Sequence, residues 1–285
     1  NAGDRADVLR PGLTFASKRL LRVGVALLGL RLSLGDVADL GAPALGLVVG
    51  TVAATFFGTQ WLGRRLGLSP ALSLLIATGY SICGASAIAA MESTSEAEEE
   101  EVAMSIGLVT LAGTVAMFAL PALASLFGLT DDQFGAWVGA SVHDVAQVVA
   151  AASTGGAAVL SIAVVVKLTR VVLLAPIVAG TNVAKARSTA RGGQAEQTDR
   201  PPLMPFFVVA FLAMMVLRTT GIVPGAVVDW ASTISSTLLA AALVGLGAGV
   251  RVARLRTLGS RPLLVGLLAW LLVSAVGLGG SLLLV

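Results

Sequence analysis

Charge is scarce in this chain. Asp, Glu, Lys and Arg together make up 12% of 285 residues, about half of what a soluble domain carries. Cysteine is nearly absent: the single one, Cys83, excludes an intramolecular disulfide framework and a cysteine-based metal cluster. Period-2 alternation of apolar and polar residues is also lacking, which makes a transmembrane β-barrel a poor fit. Aromatic residues are few, and the net charge is only +3. Basic residues gather beside apolar runs rather than on one face, so a nucleic-acid surface is not expected. What remains is 56% hydrophobic residues, arranged in apolar runs of roughly 20 residues along nearly the whole chain. This is the pattern of an all-α, polytopic membrane protein.

About nine spans are expected, at 14–32, 43–62, 70–91, 101–127, 134–154, 157–180, 205–221, 230–250 and 262–285. Pro43, Pro70, Pro205 and Pro262 open spans, where a missing N–H is harmless. Trp61, Trp137 and Trp230 fall at span ends, as interfacial rings do. Four basic clusters set the orientation: Arg5 to Arg22, Arg64 with Arg65, Lys185 to Arg200, and Arg251 to Arg261. If every segment crosses once, all four lie on one side, the cytoplasmic one. The acidic loop 92–101, ESTSEAEEEE, then faces outward, and Glu98 to Glu101 read as a solvated helix start. The polar, Gly-rich stretch 181–204 reads as a flexible cytoplasmic linker. It separates an N-terminal part, 1–180, from a C-terminal part, 205–285, within one integral membrane domain. Asn1 with no cleavable leader reads as an internal start, with further residues expected before it.

Two internal similarities appear. Residues 28–43, LGLRLSLGDVADLGAP, parallel 246–262, LGAGVRVARLRTLGSRP. With opposite orientations assigned to the two, this is the pattern of an inverted repeat in secondary transporters. Residues 79–90, GYSICGASAIAA, parallel 139–151, GASVHDVAQVVAA. These two share one orientation if every span crosses, so either the match is fortuitous or one segment does not simply cross.

Ionisable residues inside a bilayer are costly and mark function by default. His143 and Asp144 lie in the fifth expected span, Lys167 and Arg170 in the sixth. Lys167 and Arg170 share a helix face, and an ion pair with Asp144 leaves net positive charge for an anion. The bland alternative is a structural ion pair with the second base reaching an interface. His143 suits proton coupling, although a lone membrane histidine is more often a hydrogen-bonded packing residue. Gln147, four residues on, shares its face. Gly79 and Gly84 each weaken a helix by about 1 kcal/mol relative to alanine. Together with Ser81, Cys83 and Ser86 they point to an unwound segment, tolerated in lipid only where protein or a cavity satisfies the backbone. Its exposed N–H groups suit an anion. Close helix packing through small residues is the competing reading, and Cys83 is given no chemistry of its own.

These motifs, with EEEEVAMSIGLVTLAGTVAMFALP, VVKLTRVVLLAP and the N-terminal PGLTFASKRLLRVGVALLGLRLSL, resemble the sulfate exporter family of bacterial inner-membrane proteins. The likeness is strongest from Pro11 to Pro176 and weaker in the last third. It implies a fold related to the bile acid–sodium symporters, with inverted repeats, unwound crossing helices and further N-terminal spans. Carried onto this chain, it marks Ile82 to Ala87, including Cys83, Gly84, Ala85 and Ser86, then Ser141, His143, Asp144 and Gln147, and the pair Lys167 and Arg170. Asp144 stands where the family commonly has Glu. The implied function is a secondary transporter exporting a small anion, a sulfate-like oxyanion or a sulfonate, from the inner membrane. The alternative is a sodium- or proton-coupled organic-anion carrier. The expected anion ligands are Ser81, Cys83 to Ser86, Ser141, Gln147, Lys167 and Arg170, with His143 and Asp144 coupling an ion, H+ or Na+. An intramembrane hydrolase is disfavoured, because neighbouring His143 and Asp144 point about 100° apart on a helix. No catalytic residue, metal or cofactor is expected. The expected partners are the anion, the bilayer and a further copy of the chain.

Overall fold

The computed structural model describes residues 19–191, 206–249 and 259–285, with Gly12 and Phe15 besides. The described residues form helices joined by short turns, without strands. We number the helices α1 (Leu21–Leu28), α2 (Leu34–Asp39), α3 (Gly41–Arg65), α4 (Pro70–Ser81), α5 (Ala85–Ser95), α6 (Glu99–Phe127), α7 (Asp131–Ser141), α8 (Val145–Ala152), α9 (Ala157–Val172), α10 (Leu174–Arg191), α11 (Phe206–Thr219), α12 (Gly225–Gly249) and α13 (Ser260–Leu284). Among the described residues, four segments are long and apolar enough to cross a membrane: α3, α6, α9 continuing into α10 as far as Lys185, and α13.

Helix starts are written locally. The Ser69 hydroxyl accepts from Leu72 N at 3.0 Å, with Pro70 opening the first turn of α4. Reciprocal capping boxes pair Glu98 with Glu101 at α6, Thr130 with Gln133 at α7, and Asp144 with Gln147 at α8, each satisfying donors that a bare helix end leaves open. The acidic run 98–101 is therefore the first turn of α6, as expected from the helix dipole.

Two of the nine expected spans break and turn back within the bundle. Segment 70–91 breaks at Ile82–Gly84 into α4 and α5, each about 17 Å long and so about half of a bilayer core. The chain turns back there. The Ser69 hydroxyl, just before α4, donates to the Glu101 carboxylate in the first turn of α6, the helix that follows α5. Glu96, at the end of α5, pairs with Lys185 of α10 at 2.5 Å. Both ends of the hairpin thus lie at the end of the bundle that holds Arg64, Arg65 and Lys185. The acidic stretch 92–101 lies at this basic end too, not across the membrane from it.

Segment 134–154 breaks in the same way, at Val142–Asp144, into α7 and α8. Helix α6, about 43 Å long, carries the chain to the opposite end before α7 begins. A Cβ on Gly155, just after α8, would meet the Phe134 ring near the start of α7 at 2.9 Å. This second hairpin therefore dips in from, and returns to, the opposite end. The similar stretches 79–90 and 139–151 run in opposite directions through the bundle, not the same one. Two non-crossing segments leave the parity of all later spans unchanged, so the agreement of the basic clusters holds for both topologies.

The linker does not divide the bundle in space. Helix α1 packs with α11 and α12: Ser235 Oγ donates to Gly24 O at 2.7 Å, and at the start of α2 Leu34 N donates to Thr219 Oγ1 at 2.9 Å. The backbones of α1 and α11 meet so closely at Gly29 that a Cβ would lie 2.2 Å from Phe211 O. Helix α13 instead returns to α3 and α7, where Trp137 Nε1 donates to Ser274 O at 2.9 Å. Trp137 is thus a buried packing residue rather than an interfacial ring, whereas Trp61 and Trp230 are exposed. Helix α10 extends to Arg191, into the stretch expected as linker. Residues 192–205 and 250–258, with most of the N-terminal basic cluster and much of the 246–262 similarity, lie outside the described residues.

Candidate functional site: the crossing of two hairpins

The tips of the two hairpins meet at the middle of the bundle. Gly84, with φ +71° and ψ −131°, turns the chain between α4 and α5, a conformation that disfavours any side chain. Its Cα faces the His143 backbone, where a Cβ would find its nearest neighbours at 3.7 Å. The His143 ring lies 4.5 Å, centroid to centroid, from the ring of Tyr80, which itself donates to Leu108 O at 3.1 Å.

Lys167 and Arg170, on α9, are both 0% exposed and sit where the C-terminal ends of α4 and α7 converge. Arg170 donates from Nε to Ser81 O (3.1 Å) and from Nη2 to Ser81 O (2.7 Å) and Tyr80 O (3.0 Å). From Nη1 it reaches Gly139 O (3.1 Å), Ala140 O (2.6 Å) and Val142 O (3.3 Å). Lys167 Nζ donates to Ile82 O at 2.5 Å and Val142 O at 2.9 Å. Two helix C-termini leave carbonyls unpaired and carry partial negative charge; the two cations answer both needs at once. In this structure the Arg170 donors and two of the three Lys167 donors go to backbone carbonyls rather than into the cavity. The expected ion pair with Asp144 is absent as well, because its carboxylate caps α8, accepting from Ala146 N at 2.8 Å.

The opposite half-helix ends, the N-termini of α5 and α8, border a small cavity with about 10 Å³ open to a water centre, room for about one water. Cys83, Ala85 and Ser86 line it from the first hairpin, and Asp144 and Val145 from the second. Val25 and Leu28 of α1 and Leu239 of α12 close it from the other group of helices. The cavity thus lies between two packing groups.

The remaining expected residues are distributed around this point. Ser86 Oγ donates to Cys83 O at 3.1 Å and lies 2.8 Å from Cys83 Sγ. The Ser81 hydroxyl turns to Thr78 O and the Ser141 hydroxyl to Val273 O, both at 3.3 Å, so neither is offered to the cavity. Gln147 accepts from Asp144 N at 3.2 Å and donates to Thr110 O at 3.4 Å, which ties α8 to α6. His143 is 1% exposed, against Tyr80, with neither ring nitrogen in a hydrogen bond of good geometry. Among the described residues, no group of three His, Cys, Asp or Glu is placed to hold a metal ion. Sequence reasoning missed Tyr80, although it stands in the quoted motif, and the apolar lid of Val25, Leu28 and Leu239. A lid residue from a distant helix leaves no local signal.

Residues 1–266 match the family model described as conserved hypothetical protein 698. A UPF0324 membrane protein of Corynebacterium glutamicum is 42% identical over 273 residues, covering 96% of this chain and 78% of that one. One from Bacteroides thetaiotaomicron is 35% identical, covering 92% of this chain and 80% of its own. The UPF0324 inner membrane protein YeiH of Salmonella typhi is 35% identical, covering 92% and 76%. No solved structure matches. With its membrane-length helices and these relatives, the chain is a multi-pass membrane protein and belongs to the conserved hypothetical protein 698, or UPF0324, family.

Proposed function

We propose that the protein is a secondary transporter of a small anion, a sulfate-like oxyanion or sulfonate, working by alternating access from the bacterial inner membrane. The observation that carries this reading is the pair of hairpins entering from opposite ends, with two half-helix N-termini bordering one cavity between two helix groups. Broken backbone at membrane depth is stable only beside protein or a water-filled cavity, and half-helix N-termini favour negative ligands. The opposite directions of segments 79–90 and 139–151 support an inverted repeat.

Charge counting supports an anion. With Lys167 and Arg170 charged and Asp144 ionised, the crossing carries about one net positive charge, since the four helix ends cancel in pairs. Lys167 and Arg170 act as positioning residues, holding the half-helices so that their N-termini face the ligand. In this conformation the cavity holds about one water; once alternating access widens it, Ser86 and the backbone N–H groups of Ala85 and Val145 contact the anion. Because Asp144 lines the same cavity, its protonation raises the positive excess to about two charges. This favours proton-coupled anion movement over the sodium-coupled alternative. Asp144, with His143 beside it, is the coupling element.

Counterflow of labelled sulfate in liposomes, with and without an imposed pH or sodium gradient, tests the reading. Uptake driven by the pH gradient and competed by sulfonates is expected. Uptake that no gradient alters and no anion competes would overturn it.

A further inference from the structure

A second, much larger cavity of about 810 Å³ opens at the basic end of the bundle. It is a groove between α3 and α10, floored by the first turns of α4 and bounded at its mouth by the end of α5. Its two long walls change chemistry in the same direction. Along α3 the lining passes from Val49, Val52, Phe56 and Phe57 to Gln60 and Arg64. On the other wall it passes from Leu173, Pro176 and Ile177 to Thr181 and Lys185. Both helices run towards the basic end, so the apolar part of each wall lies deep in the bundle and the polar part at its edge.

From Val49 to Arg64 the α3 wall is about 22 Å long, the scale of an extended acyl chain. The groove is open sideways, with Phe57 68% and Val49 53% exposed. On a membrane-spanning helix those faces meet hydrocarbon rather than water. At the mouth Lys185 Nζ pairs with Glu96 Oε1 and donates to Thr94 O at 3.1 Å. Arg64 makes only a long hydrogen bond, 3.4 Å to Gln60 Oε1, among the described residues. Of the charged residues that line the groove itself, Arg64 and Lys185 against Glu96 leave one positive charge in excess.

We propose that this groove binds a phospholipid of the leaflet at the basic end, with an acyl chain between α3 and α10 and an anionic headgroup at Arg64. The graded walls match an amphiphile in orientation as well as in length. The excess charge selects an anionic headgroup, through charge-assisted hydrogen bonds from the guanidinium. This site is independent of the transport reading.

Native mass spectrometry of the delipidated full chain tests it, by titration with phosphatidylglycerol and, separately, acyl-matched phosphatidylethanolamine. Wild type is expected to bind phosphatidylglycerol roughly tenfold more tightly, the scale of one charge-assisted contact. Arg64→Gln, at an exposed position, should erase that preference while binding persists. Gly180→Leu, which places a side chain where nothing lies within 4 Å, should weaken both lipids. Equal affinity for the two lipids in wild type would overturn the headgroup assignment. Lipid binding unchanged by Gly180→Leu would overturn the groove, as would dimers that this variant abolishes in the absence of any lipid adduct.

Discussion

The Arg170 guanidinium clasps the Ser81 carbonyl from two nitrogens, at 3.1 and 2.7 Å, across 89 positions of sequence. A charge that reads in the sequence as a ligand for something mobile is a fixed closure for the end of a half-helix. This carries the first prediction. Arg170→Ala strips several fully buried carbonyls of their partner and should destabilise the folded protein by about 3–5 kcal/mol. Arg170→Lys should recover only part of that, because a point charge cannot span the same carbonyls as a planar fork. Thermal unfolding in detergent measures both. An Arg170→Ala protein as stable as wild type would return Arg170 to the list of direct anion ligands.

Gly84 gives a second prediction. Its φ of +71° and ψ of −131° leave room for a Cβ, with nothing nearer than 3.7 Å. The cost of Gly84→Ala is therefore backbone strain, about 1–3 kcal/mol. Gly79→Ala differs in kind, because its Cβ would strike Ile88 Cδ1 at 2.8 Å. Adding Ile88→Ala should rescue Gly79→Ala beyond additivity and leave Gly84→Ala unrescued, a contrast that a double-mutant cycle reads directly.

The hairpin topology predicts labelling sides. In a Cys83→Ala background, Glu99→Cys and Arg64→Cys should react with a membrane-impermeant thiol reagent from the same face of the membrane. Asp132→Cys and Thr154→Cys should react together from the other. If Arg64→Cys and Glu99→Cys label from opposite faces, the first hairpin crosses after all.

Gln147 links the second hairpin to α6, and Gly113 makes room for it: a Cβ there would lie 2.0 Å from Gln147 Oε1. Gly113→Ala should therefore displace Gln147, break its bond to Asp144 N and weaken the α8 cap by about 1 kcal/mol. Gln147→Ala loses the same cap, so the double variant should be no less stable than Gln147→Ala alone. Additive losses in thermal unfolding would show that Gly113 acts elsewhere.

Part of the site was legible residue by residue. Gly84 and its small polar neighbours mark the first break, because glycine is a local instruction to the backbone; the second, at Val142–Asp144, was read as continuous span, and its Asp144–Gln147 capping box emerged only in the structure. The acidic turn 98–101 was legible from the helix dipole. The direction of the chain beyond each break was not. Hydropathy over 70–91 and 134–154 is nearly that of a span, and two hairpins leave the positive-inside parity intact. The basic clusters therefore agree with a crossing and a non-crossing topology alike. The contacts that separate these topologies, Ser69 with Glu101 and Lys185 with Glu96, join positions that no local pattern relates.

The amino-acid sequence by itself determined the solvent and the first break. Long apolar runs with little charge require a bilayer, and glycine among small polar residues weakens a helix. Only the tertiary structure decided what the buried charges face. Lys167 and Arg170 lie three residues apart on one helix, and that spacing is the same whether they meet an anion or a carbonyl. Two half-helices from opposite ends had to converge on them before their role was fixed. An unpaired helix C-terminus in a dry interior needs a donor and a positive charge, and these two side chains are within reach.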